Sequence, residues 1–111
     1  MRRLLTVLMV FGFASAAYAQ DAKLVAKGEQ VYAAQKCSMC HSIGDKGNKK
    51  GPLDGVGTKL TEAEIRDWML KPAEMHKKTN NDRKPNMKPY DKLAKEDLDA
   101  VVAYMQSLKK K

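Results

Sequence analysis

The chain is poor in the residues that build most metal and redox sites: its 111 residues include only two cysteines and two histidines. A structural zinc site needs four ligands. Only Cys37, Cys40, His41 and the distant His76 are available, and their spacing argues against such a site. Strand-like alternation is almost absent, which speaks against a sheet protein and against the βαβ surroundings that a thioredoxin-like dithiol expects. Internal repeats and low-complexity segments are lacking as well. No apolar run reaches the roughly twenty residues that a helix needs to cross a bilayer. Acidic residues are the minority charge, 13 against 21 Lys and Arg, which leaves a formal net charge of +8.

What the chain does have is concentrated in one stretch, Cys37-Ser38-Met39-Cys40-His41, which holds both cysteines and one of the two histidines. The pattern Cys-x-x-Cys-His reads as covalent attachment of a c-type haem. Two thiols three residues apart on one helical turn can each add to a vinyl group on the same edge of a porphyrin. The following imidazole then lies under the iron and can bind it through Nε2. Two rival readings use the same cysteines. A redox dithiol lacks its expected surroundings here, and a disulfide over two intervening residues closes a tiny loop and adds little stability.

The N-terminus reads as a secretory leader. Arg2 and Arg3 form a basic start, residues 4–16 an apolar run, and Ala17-Tyr18-Ala19 a small-x-small cleavage site, which predicts a mature start at Gln20. A retained anchor is the weaker alternative, and no cysteine follows the cleavage point to carry a lipid. Removing 19 of 111 residues leaves 92, one small domain over residues 20–111. A domain of that size buries limited apolar surface and often leans on a cofactor. Losing Arg2 and Arg3 lowers the formal charge to +6. Such an excess can suit nucleic acid or anionic lipid, but in an exported haem protein it points to acidic redox partners. No nucleic-acid partner, no stable membrane insertion after cleavage, and a monomer are expected.

Three helices are legible in the mature chain. In residues 21–35, Leu24, Gly28, Val31, Tyr32 and Gln35 share one helical face. Mid-helix glycine costs about 1 kcal/mol against alanine, so Gly28 suggests a close backbone approach. Thr61 and Glu64 form a capping box with Leu60 and Ile65 as a hydrophobic staple, opening a short helix that Pro72 ends near Leu70. Its inward face is Ile65, Trp68 and Met69. Trp68 either sets a ring edge against haem, with its indole N–H on a propionate, or packs in the core. The last helix, residues 95–108, carries Leu98, Val101, Val102, Met105 and Leu108 on one face. Acids lie near its start and Lys109 to Lys111 at its end, matching the helix dipole. Ala100, Ala103 and Tyr104 are placed to receive Gly28 and Tyr32 where the terminal helices cross. Residues 42–59 and 72–84 read as loops, the first glycine-rich and the second polar and basic. Within the first, the carbonyl of Pro52 is expected to accept the proton on His41 Nδ1.

The ligand opposite His41 separates electron carriers from small-molecule binders. A thioether there saturates the iron and raises its potential. Met1 and Met9 leave with the leader, Met39 sits between the anchoring cysteines, and Met69 and Met105 occupy apolar helical faces where core packing is the default. Met87 lies between Pro85 and Pro89, 46 residues beyond His41, and is the first choice. Met75 and His76 compete, and an open sixth position is the remaining alternative.

Together, Cys37-x-x-Cys40-His41, Gly51-Pro52, the middle helix with Trp68, Met87 in a Pro-rich loop, and terminal helices carrying Gly28, Tyr32 and Tyr104 resemble bacterial class I cytochromes c. The resemblance implies an all-α, class I cytochrome c-like fold of three to five short helices around one covalently attached haem c. It implies His41 and Met87 as axial ligands, Pro52 on the proximal side and a tight Gly28–Tyr104 crossing. In this chain Leu53 follows Pro52 directly, so Leu53 or Val56 takes the place of the family's haem-contacting leucine. The function implied is that of a periplasmic one-electron carrier rather than an enzyme, with Lys46, Lys49, Lys50, Lys84 and Lys88 as steering charges. A haem domain with an open, ligand-binding or peroxidatic iron, and a haem-free thiol-disulfide protein, are the alternatives.

Overall fold

The structure is a computed structural model that describes residues 13–110, with side chains from residue 22 onward. Residues 1–12 of the expected leader lie outside the described residues. The fold is all-helical apart from one minimal hairpin. In order come α1 (Phe13–Ala34), a single 3₁₀ turn (Cys37–Met39), β1 (Ser42–Ile43), β2 (Lys46–Gly47), α2 (Val56–Lys59), α3 (Glu62–Leu70), α4 (Pro72–Lys78) and α5 (Lys95–Ser107).

The crossing of α1 with α5 organises the molecule, and Gly28 is its closest point. A β-carbon added there would strike the carbonyl oxygen of Ala100 and lie 2.7 Å from the Tyr104 Cβ. Ala100 itself is fully buried. One turn on, Tyr32 meets Tyr104 edge to face, with centroids 5.7 Å apart and planes at 80°. Lys27 lies 3.6 Å from both Glu96 and Asp97 in the first turn of α5. These pairs are exposed enough to contribute little beyond orientation.

Below the crossing, Val31, Ile65, Met69, Leu98, Val101, Val102 and Met105 form one core cluster from α1, α3 and α5. The periodicities of the two later helices account for it, since Ile65 and Met69 from α3 and four α5 positions from the apolar stripe are all buried. α3 opens on the capping box that its sequence predicts. Thr61 Oγ1 accepts from Glu64 N at 3.2 Å, and Glu64 Oε1 accepts from Thr61 N at 3.0 Å. Leu60 packs on the cluster that contains Ile65, as a staple requires. Arg66 then ties α3 to α5 through Asp99 at 2.7 Å.

Two expectations are corrected. Residues 72–84 are not all loop, because Pro72 closes α3 and also opens α4 as its first residue. Proline suits that position, where its missing N–H has no intrahelical partner to lose. Glu74 in the first turn and His76, Lys77 and Lys78 in the last complement the dipole of this short helix. Residues 42–59 likewise contain regular structure, in two-residue strands paired Ser42 with Gly47 and Ile43 with Lys46, and in α2. Lys109 and Lys110 follow the C-cap of α5, at its end as expected. Lys109 Nζ donates to Gly57 O at 2.7 Å, and Gly57 N donates to Leu108 O at 2.9 Å, so this end of the chain fastens α2.

Gly28→Ala removes a helix-disfavouring glycine but forces a methyl into two groups that cannot swing aside. Overpacking wins, and stability falls by about 1–3 kcal/mol. Denaturant unfolding of the holoprotein measures this; an unchanged or raised midpoint contradicts the crossing described.

Candidate haem-attachment site

The chain leaves α1 through Lys36, whose φ of 56° is left-handed, and turns at once into the 3₁₀ turn of the attachment motif. Cys40 N and His41 N both bond back to Cys37 O, at 3.1 and 2.9 Å. Those bonds wind the motif into one compact turn, which sets both thiols and the imidazole on a short arc. Both thiols are free, Cys40 exposed and Cys37 half-buried. Burial raises the Cys37 thiol above its ordinary value, with the Tyr90 hydroxyl and the Lys88 ammonium beside it acting the other way. A reactive dithiol needs the opposite environment, one that favours thiolate. Met39, between the cysteines, is 70% exposed and stays clear of the core.

His41 is half-buried and its Nδ1 lies 3.0 Å from the carbonyl oxygen of Gly51. A carbonyl can only accept, so Nδ1 carries the proton and Nε2 keeps its lone pair free. Burial, the larger cause, and the Arg83 cation hold the imidazole below its ordinary pKa, against the opposing pull of the Gly51 bond. Neutral imidazole is the form that binds metal. The expected acceptor was the neighbouring carbonyl, that of Pro52, and here the structure corrects the sequence reading by one residue. Pro52 instead pairs in a parallel bridge with Ser42, and Leu53 N donates to Ser42 O at 2.8 Å. That register turns the Gly51 carbonyl to the imidazole, where it also accepts from Ser42 N at 3.1 Å.

The hairpin explains how the carbonyl is held. Ser42 is 2% exposed, the most deeply placed polar residue of the loop. Gly47 has φ 100°, and a β-carbon there would collide with His41 O. Asn48 follows, with its N–H 3.0 Å from both His41 O and Ser38 O and its side-chain amide 3.1 Å from Met39 O. Asn48 was not singled out from sequence, although Gly-Asn is a turn signal. Arg83 was missed as well. Its Nη2 donates to Cys40 O at 2.6 Å across 43 residues, a contact with no local signature.

Of the other expected pocket residues, Leu53 and Val56 are half-buried against the core cluster, and so is Met87. The Met87 segment passes close to the attachment motif, since Lys88 and Tyr90 flank Cys37 and Tyr90 N donates to Met69 O at 2.7 Å. Met75 is buried in α4, outside that cluster. Trp68 is half-buried and meets His76 edge to face, with centroids 5.2 Å apart. His76 donates Nδ1–H to Asn81 O at 3.1 Å, and its Nε2 is buried without a partner. Pro52 is exposed.

Do these residues fit a haem? Two unpaired thiols on one turn suit thioether formation, and an imidazole oriented through Nδ1 suits an axial bond. Tyr32, packed near Cys37, keeps a buried hydroxyl with no hydrogen-bond partner. A buried polar group with no partner is what a site built for a further group leaves behind. Among the described residues, no three of His, Cys, Asp and Glu converge on a bare metal position.

A family model described as Cytochrome c matches residues 25–109, most of the chain and all of the site. No curated protein and no solved structure matches it significantly. Haem c is bound covalently in that family through Cys-x-x-Cys-His, the spacing of Cys37, Cys40 and His41. The match, the helical fold and the oriented histidine agree, and the chain belongs to the cytochrome c family.

Proposed function

We propose that this protein is an exported monohaem carrier of the bacterial periplasm that passes single electrons between redox proteins, its iron held by His41 and Met87. One observation carries the reading: His41 directly follows two free cysteines and has Nδ1 committed to the Gly51 carbonyl with Nε2 uncommitted. When bound, haem supplies a ferric–ferrous couple that accepts and returns one electron. The chain's task is then to hold and shield rather than to react. Cys37 and Cys40 would anchor the ring, and His41 and Met87 would hold its iron. Leu53, Val56, Pro52 and Trp68 line the pocket.

Support for Met87 over Met75 comes from its surroundings. Its own segment borders Cys37, and proline at 85 and 89 stiffens the chain on both sides. A soft thioether opposite imidazole favours the ferrous state, and two protein ligands leave little to rearrange on electron transfer. Neither acid–base nor nucleophilic chemistry is required, so the protein is a carrier and not an enzyme.

Export follows from the leader read in residues 1–19. Cleavage there leaves Lys27, Gly28, Val31 and Tyr32, the α1 residues that meet α5 and the core, in the mature chain. No helix among the described residues is long and apolar enough to cross a membrane. Lys46, Lys49, Lys50, Lys84 and Lys88 are all exposed. Their charge suits acidic docking surfaces on partner proteins and acts mainly on encounter rates. The carrier works as a monomer.

The visible and near-infrared spectra of holoprotein exported with haem-attachment machinery test the ligands. Low-spin bands and a methionine-to-iron band are expected in the wild type, and Met87→Ala abolishes the latter. Persistence of that band in Met87→Ala transfers the ligand to Met75 or another methionine. Carbon monoxide binding by reduced wild type at neutral pH reveals an open iron instead.

Steering has its own measurement. Transfer to an acidic partner slows as ionic strength rises past about 0.1 M, where the screening length is roughly 10 Å. A rate indifferent to salt removes the role given to the lysines.

A further inference from the structure

Arg83 stands in the basic stretch ahead of Met87 and reaches back to the attachment motif. Its Nη2 donates to Cys40 O at 2.6 Å, the carbonyl of the peptide that joins Cys40 to His41. The same guanidinium lies over Gly51. A β-carbon on Gly51 would strike Arg83 Nη1 and the Cys40 carbonyl oxygen, and would lie 2.9 Å from Arg83 Cζ. Gly51 therefore provides both the carbonyl that orients His41 and the bare surface on which the cation rests. The arginine is half-buried, and Arg83 N bonds to Asn81 Oδ1 at 3.0 Å, which steadies the chain that carries it.

We propose that Arg83 is a positioning residue that clamps the Cys40–His41 peptide against the backbone of Gly51 and raises the reduction potential of the iron by its fixed charge. The inference rests on His41 as an axial ligand. Two physical effects act in the same direction. Ferric haem carries one more positive charge than ferrous haem, and a nearby cation held in a partly desolvated place disfavours that extra charge. The same charge, held over Gly51 beside the His41 Nδ1–Gly51 bond, also disfavours positive charge on the imidazole, which becomes a poorer donor, and the ferric state loses stabilisation. Because Met87 follows Arg83 by four residues, the clamp also ties the segment of the proposed sixth ligand to the loop behind the fifth. Arginine suits this work better than lysine, since its planar fork can donate to one carbonyl while lying flat on a neighbouring peptide.

The test is spectroelectrochemical titration of the holoproteins of wild type, Arg83→Met, Arg83→Lys and Lys77→Met, the last removing one exposed charge on α4. Arg83→Met lowers the midpoint potential, Arg83→Lys restores part of the loss, and Lys77→Met moves it much less. Hydrogen exchange of the His41 Nδ1 proton, read by NMR in the reduced state, quickens in Arg83→Met and slows again in Arg83→Lys. An unchanged or raised midpoint in Arg83→Met overturns the proposal, as does a fall matched by Lys77→Met, which reduces the effect to general surface charge. Should Arg83→Met yield no holoprotein, Arg83→Lys decides alone: a midpoint and exchange rate equal to wild type refute the geometric clamp. Failure of the axial-ligand reading is separate, because it shows in the wild-type spectrum before any variant is compared.

Discussion

A hydrogen bond at one imidazole nitrogen fixes the tautomer and the direction of the other, and here the carbonyl of Gly51 does this for His41. Much of the loop that follows the attachment motif is arranged to present that oxygen. Ser42 shares it through its amide, the Ser42–Pro52 bridge sets its direction, and Asn48 pins the peptides of Ser38, Met39 and His41 from the other side. Gly47 allows the hairpin to close against His41 O, which a side chain at that place would block. A glycine-rich stretch that looks idle in sequence thus becomes a bracket for one hydrogen bond.

The bracket would drift without a fixed point, and the α1–α5 crossing supplies it. α1 ends three residues before Cys37, so the position of Gly28 against Ala100 determines where the motif begins. The seven-residue core on the other side of the crossing is small. A domain of this size gains by burying a large flat apolar group, and a ligand that binds only the folded state adds directly to its stability. A haem held on Cys37 and Cys40 would add to the stability of the chain in this way, and the buried Tyr32 hydroxyl is left without a partner among the described residues.

What could be read in the sequence was what has a period or a fixed spacing. The apolar stripe of α5, the Thr61–Glu64 box and the attachment motif each repeat or recur over a few residues, and each has its expected form in the structure. The Gly28 contact was legible too, because a costly glycine inside a helix needs a reason. The short elements escaped: two-residue strands and a four-residue helix are too brief for periodicity to register. α4 was hidden because Pro72 was read only as a stop, although proline also suits the first position of a helix. The shift of the acceptor from Pro52 to Gly51 depends on strand register, which is set by the Ser42 pairing and leaves no trace in local composition. Arg83 bonding Cys40 across 43 residues depends on tertiary placement alone.

A carrier gains speed when its metal site changes little between oxidation states, which places the burden on whatever stops the ligands from moving. His41 is secured from behind by a carbonyl whose own peptide is covered by a cation. Met87 sits on an irregular segment that has few regular hydrogen bonds and is steadied by prolines, by Tyr90 N on Met69 O and by Arg83 upstream. The two sides of the site are therefore not independently rigid. The segment of the proposed methionine ligand is tied to the histidine side through a guanidinium that donates to Cys40 O and lies over Gly51. A basic stretch that composition alone would assign to solvent is in this way tied to the attachment motif.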